Sequence, residues 1–443
     1  MTRARIAGGV GVIVILLLAL AAGYRILRND AGSGSGTARA GTSSTAPAEA
    51  HPGFLYGRIT TVDGATFEGR LRWGRGEEAF WGDYFNGARK ENQWAAHVPA
   101  ERLPTERRPF EIFGVQFGGR EQPANLGRLF MVRFGDIARI EARGRDVVRV
   151  ILKSGSEVDL ARFEASDFDD GVRVWDASGR VVDLDSLRIR TIELLPTQPI
   201  ADAPARLHGT VRTPGGEFTG FVQWDREKGI ASDALEVTSE GKQSVRFDTI
   251  RSIERRSPES TVVTLRDGRE IDLSGTGNRG TYVDDPRYGR VLVSWDAFER
   301  IDFTFAGSGP AYDQFPPGHP LTGSVTTRSG ERFAGRLVYD LDESETTETL
   351  DAPAGGVDYT ILFGLVASIF PSAGEGPGAE RVTVTLHGGE ELQLERSGDL
   401  GERNAGMLIF VEGRDRPEYV RWSEVDRIDF DRPPAMYPPL AEN

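Results

Sequence analysis

Leu55-Tyr56-Gly57-Arg58-Ile59, a turn at Asp63-Gly64, then Phe67-Glu68-Gly69-Arg70-Leu71-Arg72-Trp73: this stretch decides the fold, because the chain spells it three times. The second copy reads Leu207-His208-Gly209-Thr210-Val211, Gly215-Gly216, then Phe218-Thr219-Gly220-Phe221-Val222-Gln223-Trp224. The third reads Leu321-Thr322-Gly323-Ser324-Val325, Ser329-Gly330, then Phe333-Ala334-Gly335-Arg336-Leu337-Val338-Tyr339. Apolar residues alternating on both sides of a glycine-containing turn are the pattern of two half-buried strands in a hairpin. The glycine supplies the positive φ that a tight turn needs.

Outward from each hairpin the match continues. An acidic-x-apolar step follows at Asp83-Tyr84-Phe85, Asp233-Ala234-Leu235 and Glu348-Thr349-Leu350. Next come Phe134-Gly-Asp-Ile137-Ala-Arg-Ile140, Phe247-Asp-Thr-Ile250-Arg-Ser-Ile253 and Phe363-Gly-Leu-Val366-Ala-Ser-Ile369. Apolar residues three apart are out of phase with a strand and predict one 3₁₀ turn between two strands. A second hairpin opens at Val150-Ile151-Leu152, Val263-Thr264-Leu265 and Val384-Thr385-Leu386, turns at Gly155, Gly268 and Gly389, and returns through Val158, Ile271 and Leu392. An Asp/Asn-x-Gly step recurs at Asp169/Gly171, Asn278/Gly280 and Asn404/Gly406, and reads as an Asx turn. Trp295 to Phe303 then matches Trp422 to Phe430, with Leu184 to Leu194 as a longer counterpart.

The shared phenylalanines are 113 and 116 residues apart. The sequence therefore predicts an all-β protein of three tandem repeats, at 54–194, 207–305 and 321–431. The Pro-rich stretches Leu195–Arg206 and Ala306–Pro320 read as interdomain linkers, and 432–443 as a Pro-rich tail. Each copy also looks double, since both halves run hairpin, strand, strand, apolar-x-x-Ile. Over those steps each half resembles the SH3-like and Sm-like small β-barrels. The resemblance implies two small barrels per copy, with one fused barrel or sandwich per copy as the alternative. The Asn-containing nucleotide-binding motif and Arg-Gly step of the Sm family are absent, so it implies no RNA-binding residues.

The first copy departs from the other two. About 37 extra residues lie within 86–128, rich in aromatic and basic side chains. Loops inserted into a regular scaffold are a usual seat of function. Phe80, Trp81, Trp94, Arg107, Arg108, Phe110, Phe113 and Phe117 are accordingly the candidate partner-binding residues. The competing reading is that the insertion caps an exposed sheet edge.

Ahead of the repeats, Ile6 to Tyr24 carries no charge. As a helix it spans roughly 28 Å, close to a bilayer core. Its length favours an uncleaved membrane anchor over a signal peptide cut near Ala19-Leu20-Ala21. Residues 29–53, rich in Gly, Ser, Ala and Thr, read as a flexible linker. Either reading of 6–24 places the bulk of the chain outside the cytoplasm, in the periplasm or at the cell surface.

Composition narrows the function classes. A net charge of −14 opposes nucleic-acid binding, and the absence of cysteine excludes disulfides and thiolate chemistry. No two of the five histidines have metal-ligand spacing. Ser239-Glu240-Gly241-Lys242 matches Ser-x-x-Lys without its companion motifs. The acidic run Ser166–Gly171 lacks the spacing of an EF-type calcium loop. The recurrent Trp73, Trp224, Tyr339, Trp295 and Trp422 could stack on sugars, but repeated strand aromatics more often pack a core. No catalytic, metal or cofactor residues are assigned. The expected function is a non-enzymatic, membrane-tethered β-repeat module that binds or scaffolds an envelope protein or glycan. The alternative is an envelope hydrolase with its site at a repeat interface or in the insertion.

Overall fold

The opening hairpin forms from β1 (Tyr56–Thr61) and β2 (Thr66–Trp73), with Gly57 opposite Gly69. The computed structural model describes residues 51–439 except 75, 104, 113–114, 124–128, 200–204, 239–241, 275–277 and 372–380, and for 105–123 it describes the backbone. The apolar segment 6–24, the linker up to residue 50, Phe113 and Ser239 lie outside the described residues. Among the described residues, no helix is long and apolar enough to cross a membrane.

The first segment continues through β3 (Tyr84–Ala88), β4 (Thr105–Ile112), β5 (Val115–Pro123), β6 (Leu129–Arg133), β7 (Ile137–Arg143), β8 (Val147–Leu152) and β9 (Glu157–Ala161). A one-turn helix at Ser166–Asp169 precedes β10 (Val172–Asp176), β11 (Val181–Leu184) and β12 (Ile189–Leu194). Eight of these strands form one antiparallel sheet in the order β11-β10-β2-β1-β12-β7-β8-β9, while β3 pairs with β6 and β4 with β5. The second and third segments repeat the eight-strand order. Arg300–Thr304 lies between His208–Thr213 and Ile250–Ser257, and Val425–Phe430 lies between Thr322–Thr327 and Val366–Pro371. The last strand of each segment thus inserts between strands of its first half. The two halves of each segment therefore share one sheet. The middle sheet grows to ten strands when Val357–Leu362 of the third segment pairs with Gly289–Val293 of the second.

The repeated sequence signals have common physical causes. The 3₁₀ turns stand at Phe134–Asp136, Phe247–Thr249 and Phe363–Leu365. Each shared phenylalanine packs on the shared strand aromatic: Trp73 on Phe134, Trp224 on Phe247, Tyr339 on Phe363, with ring centroids 4.7, 6.4 and 5.1 Å apart. Trp73, Trp224, Tyr339 and Trp422 are buried, which makes them core and not a sugar platform. The acidic-x-apolar carboxylates cap the loop that precedes them. Asp83 accepts from the N–H groups of Glu78 and Ala79 at 2.9 and 2.8 Å, Asp233 from Ile230 at 3.1 Å, and Glu348 from Glu345 at 2.8 Å. Asn278 and Asn404 close Asx turns onto the N–H of Gly280 and Gly406. In the acidic run Ser166–Gly171, Asp167 instead holds the backbone and side chain of Asn86.

The shared glycines do more than turn the chain. Gly57 and Gly69, Gly209 and Gly220, and Gly323 and Gly335 are cross-strand partners, all in strand interiors. A Cβ at Gly69 would fall 1.9 Å from the carbonyl oxygen of Trp175, and one at Gly220 would fall 1.9 Å from that of Asp284. Neighbouring backbones cross there too closely for any side chain. Gly69→Ala is therefore expected to force the β2–β10 pairing apart and cost about 1–3 kcal/mol, read as a lower urea midpoint with unchanged slope.

The two Pro-rich stretches that read as a linker and a tail are packed parts of the fold, because they carry aromatics that only the segment junctions can bury. Within 306–320, Phe315 is buried and Tyr312 and Phe315 stack against Phe80, at 5.0 and 6.4 Å. Lys153 of the first segment donates to the carbonyls of both Tyr312 and Phe315. From the tail, Tyr437 packs edge-on to Trp81 at 5.3 Å and against Phe315 at 4.9 Å. The chain from Ala48 to Asn443 is one compact unit.

Candidate functional site

The turn after Tyr339 is where the three segments meet. Asp340 and Leu341 sit in the left-handed region, at φ 49° and 54°, a strained setting for a leucine. What holds them there comes from the first segment. Asn92 donates its side-chain N–H to the Leu341 carbonyl at 2.9 Å. Val98, Trp94 and Leu103 of the insertion pack over Leu341, Val338 and Tyr419. Asp340 in turn accepts from the N–H of Ala405. The insertion thus clamps an acidic turn of the third segment.

That turn lines a cavity of about 690 Å³, within the size range of small-molecule sites. The third segment supplies its carboxyl groups: Asp340, Asp342, Glu343, Glu348, Asp351, Asp358 and Asp399. The first segment supplies Arg89 with Phe130 and Met131, and the second supplies Tyr282 and Leu292. Arg89 is committed within the wall. It pairs with Asp342 at 2.8 Å and with Glu348, and lies 5.2 Å over the Phe130 ring. Asp351 accepts from the hydroxyls of Thr360 and Thr349, and Asp399 from the N–H of Asp351 at 2.7 Å. Glu343, Asp351, Asp358 and Asp399 form no ion pair among the described residues.

The electrostatics follow from that imbalance. Burial pushes the Glu343 carboxyl well above the usual carboxylate range, and repulsion from Asp342, Asp399 and Asp340 adds to it. Asp399 is pushed up in the same way, by burial first and then by Asp351. Asp351 is raised by burial against the pull of its two threonine hydroxyls. Outside the cavity, burial and then Asp83 push Glu77 up to about 7 from 4.5.

The sign of the pH dependence is fixed by these shifts. A carboxyl whose folded pKa is raised keeps a proton that the unfolded chain has already released. Its contribution is present below about pH 4.5 and is lost as pH climbs through about 7. The melting temperature is therefore expected to fall between pH 5 and pH 7.5, and Glu77→Gln combined with Glu343→Gln to flatten that slope. Lys153, lowered by burial to about 8, acts with the opposite sign, and only above that pH.

The residues expected from the sequence to bind a partner are placed differently. Phe80 and Trp81 are buried at the junction of the first and third segments, so they pack the protein's own interior and present no outer surface. Trp94 is half-buried and stacks edge-on to Phe410 at 6.0 Å, with Arg336 over its ring. Arg107, Arg108, Phe110 and Phe117 belong to the β4–β5 hairpin, in which Arg108 pairs with Arg120 and Phe110 with Phe117. Phe80, Trp81 and Trp94 do not line the cavity, whereas Asn86 and Arg89 from the start of the insertion do. The cavity carboxylates do leave a mark in the sequence: Asp340 to Asp351 holds six acids and no Lys or Arg.

No protein-family model matches the chain. No curated protein matches it either. One solved chain, titled a streptogramin B lyase structure, aligns over 67% of this chain and 94% of its own at 9% identity and a TM-score of 0.11. So loose a superposition carries no argument about fold or activity. Among the described residues, no three His, Cys, Asp or Glu side chains converge where a metal ion could be held.

Proposed function

We propose that the chain is a membrane-tethered, extracytoplasmic binding module in which three fused β segments are the scaffold and the junction cavity takes the ligand. The observation that supports this most directly is the cavity itself. It is of small-molecule size, it draws on all three segments, and an insertion peculiar to one segment fixes its acidic turn. The apolar stretch at 6–24 and the linker after it support the tether and the location. Fractionation of the tagged full chain, with protease added outside intact spheroplasts, checks both. Cytosolic recovery, or protection of residues 48–443, overturns that part of the reading.

A second reading is a hydrolase. Carboxyls raised by burial, such as Glu343 and Asp399, are the kind a general acid requires. Binding is the better-supported role, because acidic groups outnumber the one arginine of the described cavity wall and several of the carboxyls are fastened to the protein's own backbone and hydroxyls. Turnover of any substrate in a hydrolase screen, abolished by Asp399→Asn, would reverse that order.

A further inference from the structure

We propose that the junction cavity binds an organic polycation of the polyamine type, an alkylammonium chain held by Glu343, Asp351, Asp358 and Asp399. This rests on the cavity being the ligand site. The charge balance is the first support. Arg89, the cation in the wall, is taken up by Asp342 and Glu348. The four named carboxylates form no ion pair with any described residue. Carboxyls gathered in a partly closed, low-dielectric cavity favour a cationic guest, whose charge on binding displaces the protons that burial holds on Glu343 and Asp399.

Glu343 is the second support. Its Oε2 is closed off from solvent and has no hydrogen-bond partner among the described residues, although Glu343 lines the cavity. A buried carboxylate oxygen without a donor is a costly feature for a fold to retain by itself. An ammonium guest supplies the missing donor once the Glu343 side chain turns that oxygen toward the cavity it lines.

The distribution of the carboxylates selects an organic guest over a metal ion. No three of them converge on a point that one ion could occupy. They are spread instead around about 690 Å³, which suits several ammonium groups separated by methylenes. The first two segments provide hydrocarbon for those methylenes, in Leu129, Met131 and Leu292.

Calorimetric titration of residues 48–443 with spermidine in 0.15 M NaCl tests this, since that span is one compact unit. The expected result is saturable one-site binding, weakened roughly 30-fold or more by Glu343→Gln with Asp399→Asn. Asp358→Asn, at an exposed position that the fold tolerates, is expected to weaken it several-fold. Asp296→Asn, on the open surface, is expected to leave it unchanged. A tetralysine peptide as a second titrant distinguishes the source: tighter binding than spermidine keeps the alkylammonium chemistry and moves its origin to a protein segment. Absence of saturable binding, binding unaffected by both cavity variants, or displacement of spermidine by equimolar Ca²⁺ overturns the proposal. A neutral glycan or an anion that raises the melting temperature only when the cavity is intact sinks the cation assignment and leaves the binding reading standing. Turnover would instead sink the binding reading.

Discussion

Arg89→Ala is expected to lower the stability of residues 48–443 by about 3–5 kcal/mol, the usual cost of removing one partner from a buried ion pair. Arg89 leaves the first segment just after β3 and ends between Asp342 and Glu348 of the third. Both carboxylates are buried, and Glu348 also caps its own loop through the N–H of Glu345. Without the guanidinium, Asp342 and Glu348 lose this shared partner beside four carboxyls that make no ion pair among the described residues. Lysine is no substitute, because one ammonium cannot bridge two carboxylates as the planar fork does. Equilibrium urea unfolding measures the loss. If it comes from stranded charge, adding Asp342→Asn and Glu348→Gln to Arg89→Met recovers most of it. If the triple variant is as weak as Arg89→Ala, packing over Phe130 contributes more than the ion pairs do.

Arg133→Ala is the second large effect, also expected at about 3–5 kcal/mol. Its side chain is 1% exposed and grips Asp136 with two nitrogens, at 2.6 and 3.0 Å. It also donates to the carbonyl of Tyr437 and lies 5.2 and 5.3 Å from the rings of Trp81 and Phe315. One guanidinium therefore holds together the first segment, the 306–320 stretch and the C-terminal tail. The signature beyond stability is release of that tail. Limited proteolysis is expected to cut near 432–439 in Arg133→Ala and to leave the parent chain intact there. Equal resistance in both would show that the aromatic contacts of Tyr437 are enough to hold the tail.

Much of the local structure was legible because its causes are local. The alternation Leu71-x-Trp73 states which face of β2 is buried, Asp63-Gly64 states where the hairpin turns, and Phe134-x-x-Ile137 states where a strand gives way to a 3₁₀ turn. The candidate site was less legible. Aromatic residues drew attention to Trp94, which does pack over the acidic turn, but Asn92, Arg89 and Val98, which fix that turn with it, carried no such signal. The acidic run at 340–351 resembles a solvated surface, and only its neighbours from the other segments turn it into a cavity wall.

The sequence by itself determined an all-β chain, its threefold periodicity and the positions of its turns, since strand alternation and glycine placement are set by residues within a few positions of one another. Tertiary structure alone decided that each segment is one interleaved sheet, that Gly57 and Gly69 mark a backbone crossing, that the stretches read as a linker and a tail are packed, and that seven carboxyls share one cavity. The physical reason is distance along the chain. β1 pairs with a strand more than a hundred residues away, and Arg89 meets Glu348 across 259. Hydrophobic pattern specifies which face of a strand is buried, but says nothing of which distant strand or charge will lie against it.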